Sequence, residues 1–166
     1  MKIYSFPAIS NPTATILILG TMPGIASLLA NEYYGHPRNY FWKLLFTICN
    51  MPFSTDYETK KKLLLQNNIA LWDVLQACER QGSLDSAILK EVPNDFKTFL
   101  KQHPNVTHIY FNGQKAAHYF KKYVETDAAY TLVTLPSTSP ANAGMSFEKK
   151  LAIWQEHINP FKMDTQ

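Results

Sequence analysis

Short apolar runs alternate with helix-like patterns along this chain. Four runs of apolar and β-branched residues read as buried strands, and between them apolar residues recur every three or four positions, as in helices with one buried face. Strands and helices that alternate in this way are typical of a parallel sheet covered on both faces, an α/β fold. The predicted strands are residues 15–19, 69–74, 107–111 and 130–135, and the predicted helices are residues 40–48, 55–66, 94–101, 114–124 and 146–158.

Two of the predicted strands end in loops rich in turn-forming residues. The first strand runs into residues 20–24 (GTMPG, the first loop), and the last strand runs into residues 136–142 (PSTSPAN, the second loop). Glycine permits a close approach of the backbone to a ligand, and proline stiffens the turn. Parallel strands of an open sheet end at one edge, where α/β proteins bind ligands. We therefore expect the two loops to form two sides of one cleft.

Composition limits the kind of protein this can be. With 166 residues, of which 46% are hydrophobic and 17% charged, the chain is expected to form one domain over residues 1–166. No apolar run reaches the length of a membrane span, and the N-terminal residues do not resemble a signal peptide. We therefore expect a cytoplasmic monomer that does not bind membranes. The least periodic stretch, residues 77–92, is expected to wrap over one end of the sheet.

Charge and motif content narrow the possible chemistry. The chain has two cysteines, too few for a four-thiolate iron–sulfur cluster or zinc site, and Cys49 and Cys78 read as core residues. The sequence contains no P-loop, no GxGxxG turn and no zinc-ligand spacing, so we expect no metal-dependent and no dinucleotide chemistry. A net charge of +3 permits binding to nucleic acid without requiring it.

The segment GHPRNYFW places three different polar side chains just before an aromatic helix. His36, Arg38 and Asn39 supply an imidazole, a guanidinium and a carboxamide, and Tyr33 and Tyr34 precede them. Aromatic faces can stack a nucleobase, which makes this cluster a candidate binding site. A simpler interpretation is also open, in which Asn39 caps the following helix and His36 is a surface loop residue.

The two loops carry candidate phosphate contacts. Ser137, Thr138 and Ser139 combine small hydroxyls with backbone N–H groups in a loop held stiff by proline, which suits phosphate oxygens. The alternatives are a Ser/Thr turn that caps the final helix and, for the first loop, an ordinary strand-to-helix turn.

Two carboxylates stand close to the predicted edge of the sheet. Asp73 ends the apolar run IALW and can either accept a hydrogen bond from a ligand N–H group or cap the turn that follows. Asp85, within SLDS, reads as a helix cap.

In their order and spacing, these segments resemble the uracil-DNA glycosylase superfamily. A G-x-x-P-G turn followed by P-x-N-x-F-W resembles its mismatch-specific thymine/uracil branch. The chain is similar to the hypoxanthine-DNA (deoxyinosine) glycosylase branch in a larger set of segments, namely GTMPG, YYGHPRNYFW, WDVL, SLDSAI and LPSTSPAN. The resemblance extends from Leu17 to Trp154.

The resemblance implies a three-layer α/β/α sandwich whose four-stranded parallel sheet has the order 2-1-3-4. It also implies hydrolysis of the glycosidic bond of a deaminated base that is flipped out of DNA, hypoxanthine above all and uracil as well, without a cofactor. Thr21 and Met22 stand where most of the superfamily carries an Asp or Asn that orients the attacking water. The hypoxanthine branch uses the Asn of H-P-R-N instead, which is Asn39 here.

This hypothesis assigns a role to each candidate residue. Asn39 and His36 would be catalytic; Asp73, Tyr33, Tyr34 and Phe41 would contact the base; and Met22, Pro23, Gly24, Arg38, Ser137, Thr138 and Ser139 would contact DNA phosphates. Two alternatives remain open. One is a G:T/U mismatch glycosylase, and the other is a relative that binds damaged DNA without cleaving it, suggested by Thr21 and Met22.

Overall fold

The computed structural model describes residues 2–126 and 129–159, so residues 1, 127–128 and 160–166 of the predicted domain lie outside the described residues. In chain order the strands are β1 (Lys2–Tyr4), β2 (Ile16–Gly20), β3 (Ile69–Asp73), β4 (Leu75–Glu79), β5 (Leu89–Pro93), β6 (His108–Asn112) and β7 (Thr131–Leu135). The helices are α1 (Ile25–Ala30), α2 (Phe41–Ile48), α3 (Tyr57–Gln66), α4 (Phe96–Gln102), α5 (Gln114–Tyr123) and α6 (Phe147–His157), with a short 3₁₀ turn at Asp85–Ala87.

A four-stranded parallel sheet with the order β3-β2-β6-β7 forms the centre of the fold. Counted among the four parallel strands alone, this is the predicted order 2-1-3-4, and the predicted fold class is confirmed. All five residues of β2 are buried, as expected for the inner strand of a sheet covered on both faces.

The two faces of the sheet carry separate apolar cores, because successive strand residues point to opposite sides. Ile16 and Ile18 of β2 pack with residues of α2, α3 and α6. Leu17 and Leu19 pack with residues of α4 and α5. Helices therefore cover the sheet on both sides in three layers, and the loops that leave the strand ends remain at its carboxyl edge.

A second, antiparallel sheet of order β1-β4-β5 was not predicted. Residues 77–92 do not simply wrap over the parallel sheet, because they include the end of β4 and most of β5. The sequence of β5 does not indicate a strand. Its residues are exposed or half-buried, and Lys90 has a φ of +52°. Helix α1 was also missed, since it has six residues and buries only Ser27.

Helix α6 fixes the position of the second loop. The indole N–H of Trp154 donates to the carbonyl of Pro136 at 2.9 Å, and Nζ of Lys150 donates to the carbonyl of Asn142 at 3.0 Å. Trp154 is fully buried and its ring meets Phe41 edge-on, with centroids 6.1 Å apart. The final helix thus joins the second loop to the start of α2.

In the part of the chain that the structure describes, no helix is both long and apolar enough to cross a membrane.

The indole of Trp154 makes a testable contribution to this arrangement. We expect Trp154→Ala to lower the free energy of unfolding by about 3–5 kcal/mol, because it leaves a cavity and removes the donor to Pro136. Gln155→Ala, at the next, exposed position, should change it by less than about 0.5 kcal/mol. Urea denaturation measures both values, and equal stability of the two variants would contradict the role given to Trp154.

Candidate active site

The carboxyl edge of the parallel sheet opens into a cavity of about 390 Å³. Its walls come from the first loop, the second loop, residues 33–39 and residues 83–85. The predicted cleft between the two loops is therefore present. The predicted site residues that line it are Met22, Pro23, Gly24, Tyr33, Tyr34, His36, Asn39, Asp73, Ser137, Thr138 and Ser139, whereas Arg38 and Phe41 do not.

Asp73 ends strand β3 and faces the cavity from a buried position. Its residue is 4% exposed, and a Cβ on the neighbouring Gly20 would lie 2.6 Å from its Oδ1 atom. Glycine at position 20 therefore makes room for the carboxyl group. Burial, reinforced by the nearby charge of Asp85 and opposed by Arg80, raises the pKa of Asp73 to about 7.

Tyr34 lies across Gly20 from Asp73. Its ring stacks on Phe41 with a centroid distance of 4.1 Å, and its backbone adopts the left-handed region with φ of 53°. The hydroxyl is buried and makes no hydrogen bond of normal geometry, although a longer contact with the Asn112 side chain acts to lower its pKa. Burial dominates and raises the pKa of Tyr34.

Two of the residues predicted to contact the base, Phe41 and Tyr33, have side chains engaged in other interactions within the protein. Phe41 is fully buried beneath Tyr34, so the prediction that it touches the base directly is wrong, and it supports the Tyr34 ring instead. Tyr33 lines the cavity, but its hydroxyl donates to the carbonyl of Pro7 at 2.9 Å and its ring packs edge-on against Phe6.

His36 and Asn39 both face the cavity in defined orientations. Nδ1 of His36 accepts a hydrogen bond from the Arg38 N–H at 3.1 Å, so a neutral ring carries its proton on Nε2. Oδ1 of Asn39 accepts from the Phe41 N–H at 2.9 Å, which satisfies a free donor at the start of α2. The N-cap of α2 is Tyr40, so Asn39 bonds the first N–H of the helix from one residue further out and also has a position in the cavity wall.

Contacts with the core and with Arg80 and Ser83 hold the first loop in place. The side chain of Met22 packs in the core, so only its backbone is available to a ligand, and Pro23 has no N–H group to donate. The buried guanidinium of Arg80 donates to the Pro23 carbonyl and lies 3.5 Å from Asp85. Gly24 precedes α1, whose first N–H, on Ile25, donates to the Ser83 hydroxyl at 2.9 Å.

Asn112 clamps the second loop to the end of strand β6. Its Oδ1 accepts from the Thr138 N–H at 3.0 Å and its Nδ2 donates to the Thr138 hydroxyl at 2.9 Å. Thr138 is fully buried, so the prediction that it contacts phosphate is wrong, and it anchors the loop instead. The hydroxyls of Ser137 and Ser139 accept from N–H groups two residues further on, which leaves each O–H free to donate outward.

Three residues of the site were not assigned a role in it from the sequence. Asp85 begins the 3₁₀ turn without capping it and lines the cavity instead, with burial as the main cause of its raised pKa. Asn112 and Arg80 act through the loops. Asn112 and Arg80 stand in no motif, and Asp85 lies in SLDSAI but read there only as a helix cap; their contacts across the fold identify all three.

Among residues 2–126 and 129–159, no group of three or more histidine, cysteine, aspartate or glutamate side chains is arranged to hold a metal ion.

Comparison with known proteins identifies the family. A family model of the uracil DNA glycosylase superfamily matches residues 7–157. The chain belongs to this superfamily. Two curated relatives are each named hypoxanthine DNA glycosylase. The protein from Methanosarcina barkeri is 36% identical over 94% of this chain and 98% of its own length. The protein from Methanosarcina acetivorans is 40% identical over 85% of this chain and 89% of its own length.

A solved relative in the superfamily agrees with the fold. A solution NMR structure from Methanosarcina acetivorans, provisionally described as a uracil DNA glycosylase, superimposes with a TM-score of 0.81 at 36% identity. The match covers 95% of this chain and 96% of the other. At this identity and coverage, the sandwich fold is shared with the superfamily.

The raised pKa of Asp73 predicts a pH dependence of stability in this superfamily member. The folded protein keeps the Asp73 proton where the unfolded chain has lost it, so stability falls as the pH rises from about 4 to about 7. We expect Asp73→Asn to remove this part of the decline, so that its Tm changes less than that of the wild type between about pH 5 and about pH 8. The exposed Glu156 allows a matched control, Glu156→Gln, which should keep the wild-type difference. An unchanged decline in Asp73→Asn would show that Asp73 titrates normally.

Proposed function

We propose that this protein is a monofunctional DNA glycosylase that hydrolyses the glycosidic bond of a deaminated base flipped out of DNA. Hypoxanthine in deoxyinosine is the main substrate and uracil a second one. The enzyme would act as a cytoplasmic monomer without a metal or cofactor. The observation that carries this proposal is the buried carboxyl group of Asp73 inside a 390 Å³ cavity at the loop edge of a uracil DNA glycosylase fold. The names of the two curated relatives agree with it.

Asp73 would select the base. Hypoxanthine, uracil and xanthine each carry a ring N–H next to a carbonyl, whereas adenine has a bare ring nitrogen at the same place. A carboxylate that accepts from this N–H loses its partner when adenine enters, and sites that hydrogen-bond a group reject analogues that lack it. With a pKa of about 7, a substantial fraction of Asp73 is ionised at neutral pH, and burial makes an unpaired contact unfavourable.

The target nucleotide must leave the duplex before Asp73 can reach it. The cavity is of the size that small ligands occupy, and the Tyr34 ring, supported by Phe41, offers an aromatic surface at its wall. Ser137 and Ser139 would donate their hydroxyl protons to phosphates beside the flipped nucleotide. Arg38, exposed outside the cavity, would contact the duplex backbone.

Bond cleavage would precede attack by water. As the bond between the sugar C1′ and the base nitrogen breaks, positive charge develops on the sugar and negative charge on the base. Nε2–H of His36 would donate to the departing base, which stabilises that negative charge. Asn39 would orient a water molecule toward C1′. Because an amide is a very weak base, the water loses its proton only as its oxygen bonds to the cationic sugar; that proton passes to solvent, and the departed base anion takes one up from solvent, so the products are the C1′ hydroxyl and the neutral base.

Release of free base from defined duplexes tests the function. Oligonucleotides that carry inosine, uracil or thymine opposite each normal base should release hypoxanthine fastest, with slower release of uracil. Preferential release of thymine or uracil from pairs with guanine would instead favour the mismatch-specific alternative. Tight binding to damaged duplexes without release of any base would favour the alternative that only binds DNA.

Replacement of Asn39 tests the catalytic assignment. We expect Asn39→Ala to reduce single-turnover excision of hypoxanthine by about two to four orders of magnitude, with little change in duplex affinity. Asp56→Ala is the matched control, because Asp56 caps α3 and lies outside the cavity. It should lose stability and keep the excision rate. An Asn39→Ala rate within about threefold of the wild type would leave Asn39 with only its hydrogen bond to the start of α2.

A double replacement in the second loop tests the phosphate assignment. We expect Ser137→Ala with Ser139→Ala to weaken duplex binding and turnover without changing base preference, since phosphate contacts carry no sequence information. The salt dependence of binding should change little, because Lys and Arg contacts determine it. Ser54→Ala is the control, because the Ser54 hydroxyl also accepts from an N–H two residues further on, that of Asp56, but lies outside the cavity. Loss of excision for one base only, with normal duplex affinity, would place these serines in the base pocket.

A further inference from the structure

Asp85 brings a second carboxyl group into the cavity, and the 3₁₀ turn that carries it has no side-chain cap. Its Oδ1 atom lies 3.5 Å from Nη1 of Arg80, and that Nη1 makes no hydrogen bond of normal geometry. A charge-assisted hydrogen bond between such groups measures roughly 2.7–2.9 Å. Because a carboxylate can accept about four hydrogen bonds, Asp85 keeps acceptor sites for a ligand in the cavity.

The two carboxyl groups of the cavity lie at different depths. Asp73 is 4% exposed at the end of strand β3, whereas the side chain of Asp85 is 42% exposed. A flipped base enters such a cavity first, and its sugar stays attached to the DNA strand outside. A base in contact with Asp73 therefore has its sugar on the outer side, at the level of Asp85.

The groups around Asp85 favour a negative charge at this level of the cavity. Burial raises the pKa of Asp85, and three neighbours oppose the rise: a contact with the Thr21 hydroxyl of the first loop, and the charges of Arg80 and Lys115. Asp85 in turn contributes to the raised pKa of Asp73. The outer carboxyl group is thus the one that its surroundings help to ionise, and the deeper one is held closer to neutrality.

We propose that Asp85 is a further catalytic residue of the glycosylase, a proposal that rests on the function proposed above. Its carboxylate faces the sugar of the flipped nucleotide and stabilises the positive charge that develops there. Cleavage sends both electrons of the bond between C1′ and the base nitrogen to the base, so the sugar becomes cationic. A fixed carboxylate in a partly enclosed cavity attracts such a cation more strongly than it would in water.

The same carboxylate completes the attack by water. As the oxygen of the water that Asn39 orients bonds to C1′, Asp85 accepts the proton that the water loses and passes it to solvent. The carboxylate is then restored, and the base anion takes up its proton from solvent. Asn39 orients the water and Asp85 provides the basic group that an amide lacks.

The variant Asp85→Asn removes the charge and keeps the shape of the side chain. We expect single-turnover excision of hypoxanthine to slow by about ten- to a thousandfold. Affinity for an undamaged duplex should stay the same or rise, because one negative charge near the phosphates is removed. A merely structural role of Asp85 would instead weaken binding together with the rate. Asp85→Glu, which keeps the charge, should recover part of the lost rate.

Glu79→Gln is the matched control. It removes the same charge from strand β4, next to Arg80 in the chain, but Glu79 lies outside the cavity, where it pairs with the exposed Lys90 at 3.2 Å. Exposed pairs of this kind contribute little to stability. Glu79→Gln should therefore keep the wild-type excision rate, which separates a contact at the sugar from a general change in net charge.

Affinity for two abasic analogues tests the same contact without any excision. A pyrrolidine ring in place of the sugar is cationic at neutral pH, like the sugar during cleavage, whereas a tetrahydrofuran ring is neutral. We expect the wild type to bind a duplex that contains pyrrolidine at least about tenfold more tightly than one that contains tetrahydrofuran. Asp85→Asn should lose most of this preference. Asp73→Asn and Glu79→Gln should keep it, since neither side chain faces the sugar.

Equal affinity of the wild type for the two analogues would overturn the proposal, and this comparison needs no variant. The proposal also fails if Asp85→Asn keeps the preference, if Asp73→Asn loses it instead, or if Asp85→Asn excises hypoxanthine within about threefold of the wild-type rate. Should Asp85→Asn not fold, loss of the preference in Asp85→Glu would overturn the proposal and its retention would support it. A wild type that releases no base from any duplex refutes the proposed function, whereas equal release by the wild type and Asp85→Asn refutes the role of Asp85 alone.

Discussion

Removing a carboxyl group from water is unfavourable unless neighbouring groups compensate it, and Asp73 is 4% exposed at the end of a buried strand. The surrounding structure accommodates this group in several ways. Gly20 has no side chain where the carboxyl lies, and the nearby charge of Arg80 partly offsets burial and the repulsion from Asp85. The remaining imbalance raises the pKa of Asp73 to about 7. A group kept in this condition in a cavity wall is a good candidate for contact with a ligand.

At the same edge of the sheet, polar side chains hold both loops in place through hydrogen bonds made on the side away from the cavity opening. Arg80 fixes the first loop through the Pro23 carbonyl, and Asn112 fixes the second through two hydrogen bonds to Thr138. Trp154 adds a bond to the loop from helix α6. These contacts reduce the conformational entropy that binding would otherwise have to remove. The cavity walls are thus ordered before a ligand arrives.

The sequence predicted the parts of this fold that carry a periodic signal. Strands β2, β3 and β6 are nearly continuous apolar runs because both faces of the sheet are covered there, and the five predicted helices each have an apolar stripe. The edge strand β7 is mostly exposed, and its apolar and β-branched residues alone predicted it. Strand β5, LKEVP, was missed because its two charged residues and its proline interrupt any apolar run. Local pattern fails where a strand gains its stability from pairing rather than from burial of its own side chains.

In the candidate site, the sequence located the loops and the cavity but not every side chain's orientation. Thr138 and Phe41 read as ligand contacts because of their residue types, yet both are fully buried and support other groups. Asn112 and Arg80 were not predicted because their function depends on partners 26 and 57 residues away in the chain. Only the fold brings such pairs together, and a single sequence contains no signal for them.

The most direct test of the account is a crystal structure of the Asn39→Ala protein bound to a duplex that contains deoxyinosine. If the cavity is a base pocket, intact hypoxanthine should lie outside the helix in that cavity, with its ring N–H within hydrogen-bond distance of the Asp73 carboxyl. A deoxyinosine that stays stacked in the duplex, or a flipped base bound elsewhere on the protein, would contradict the assignment of the site.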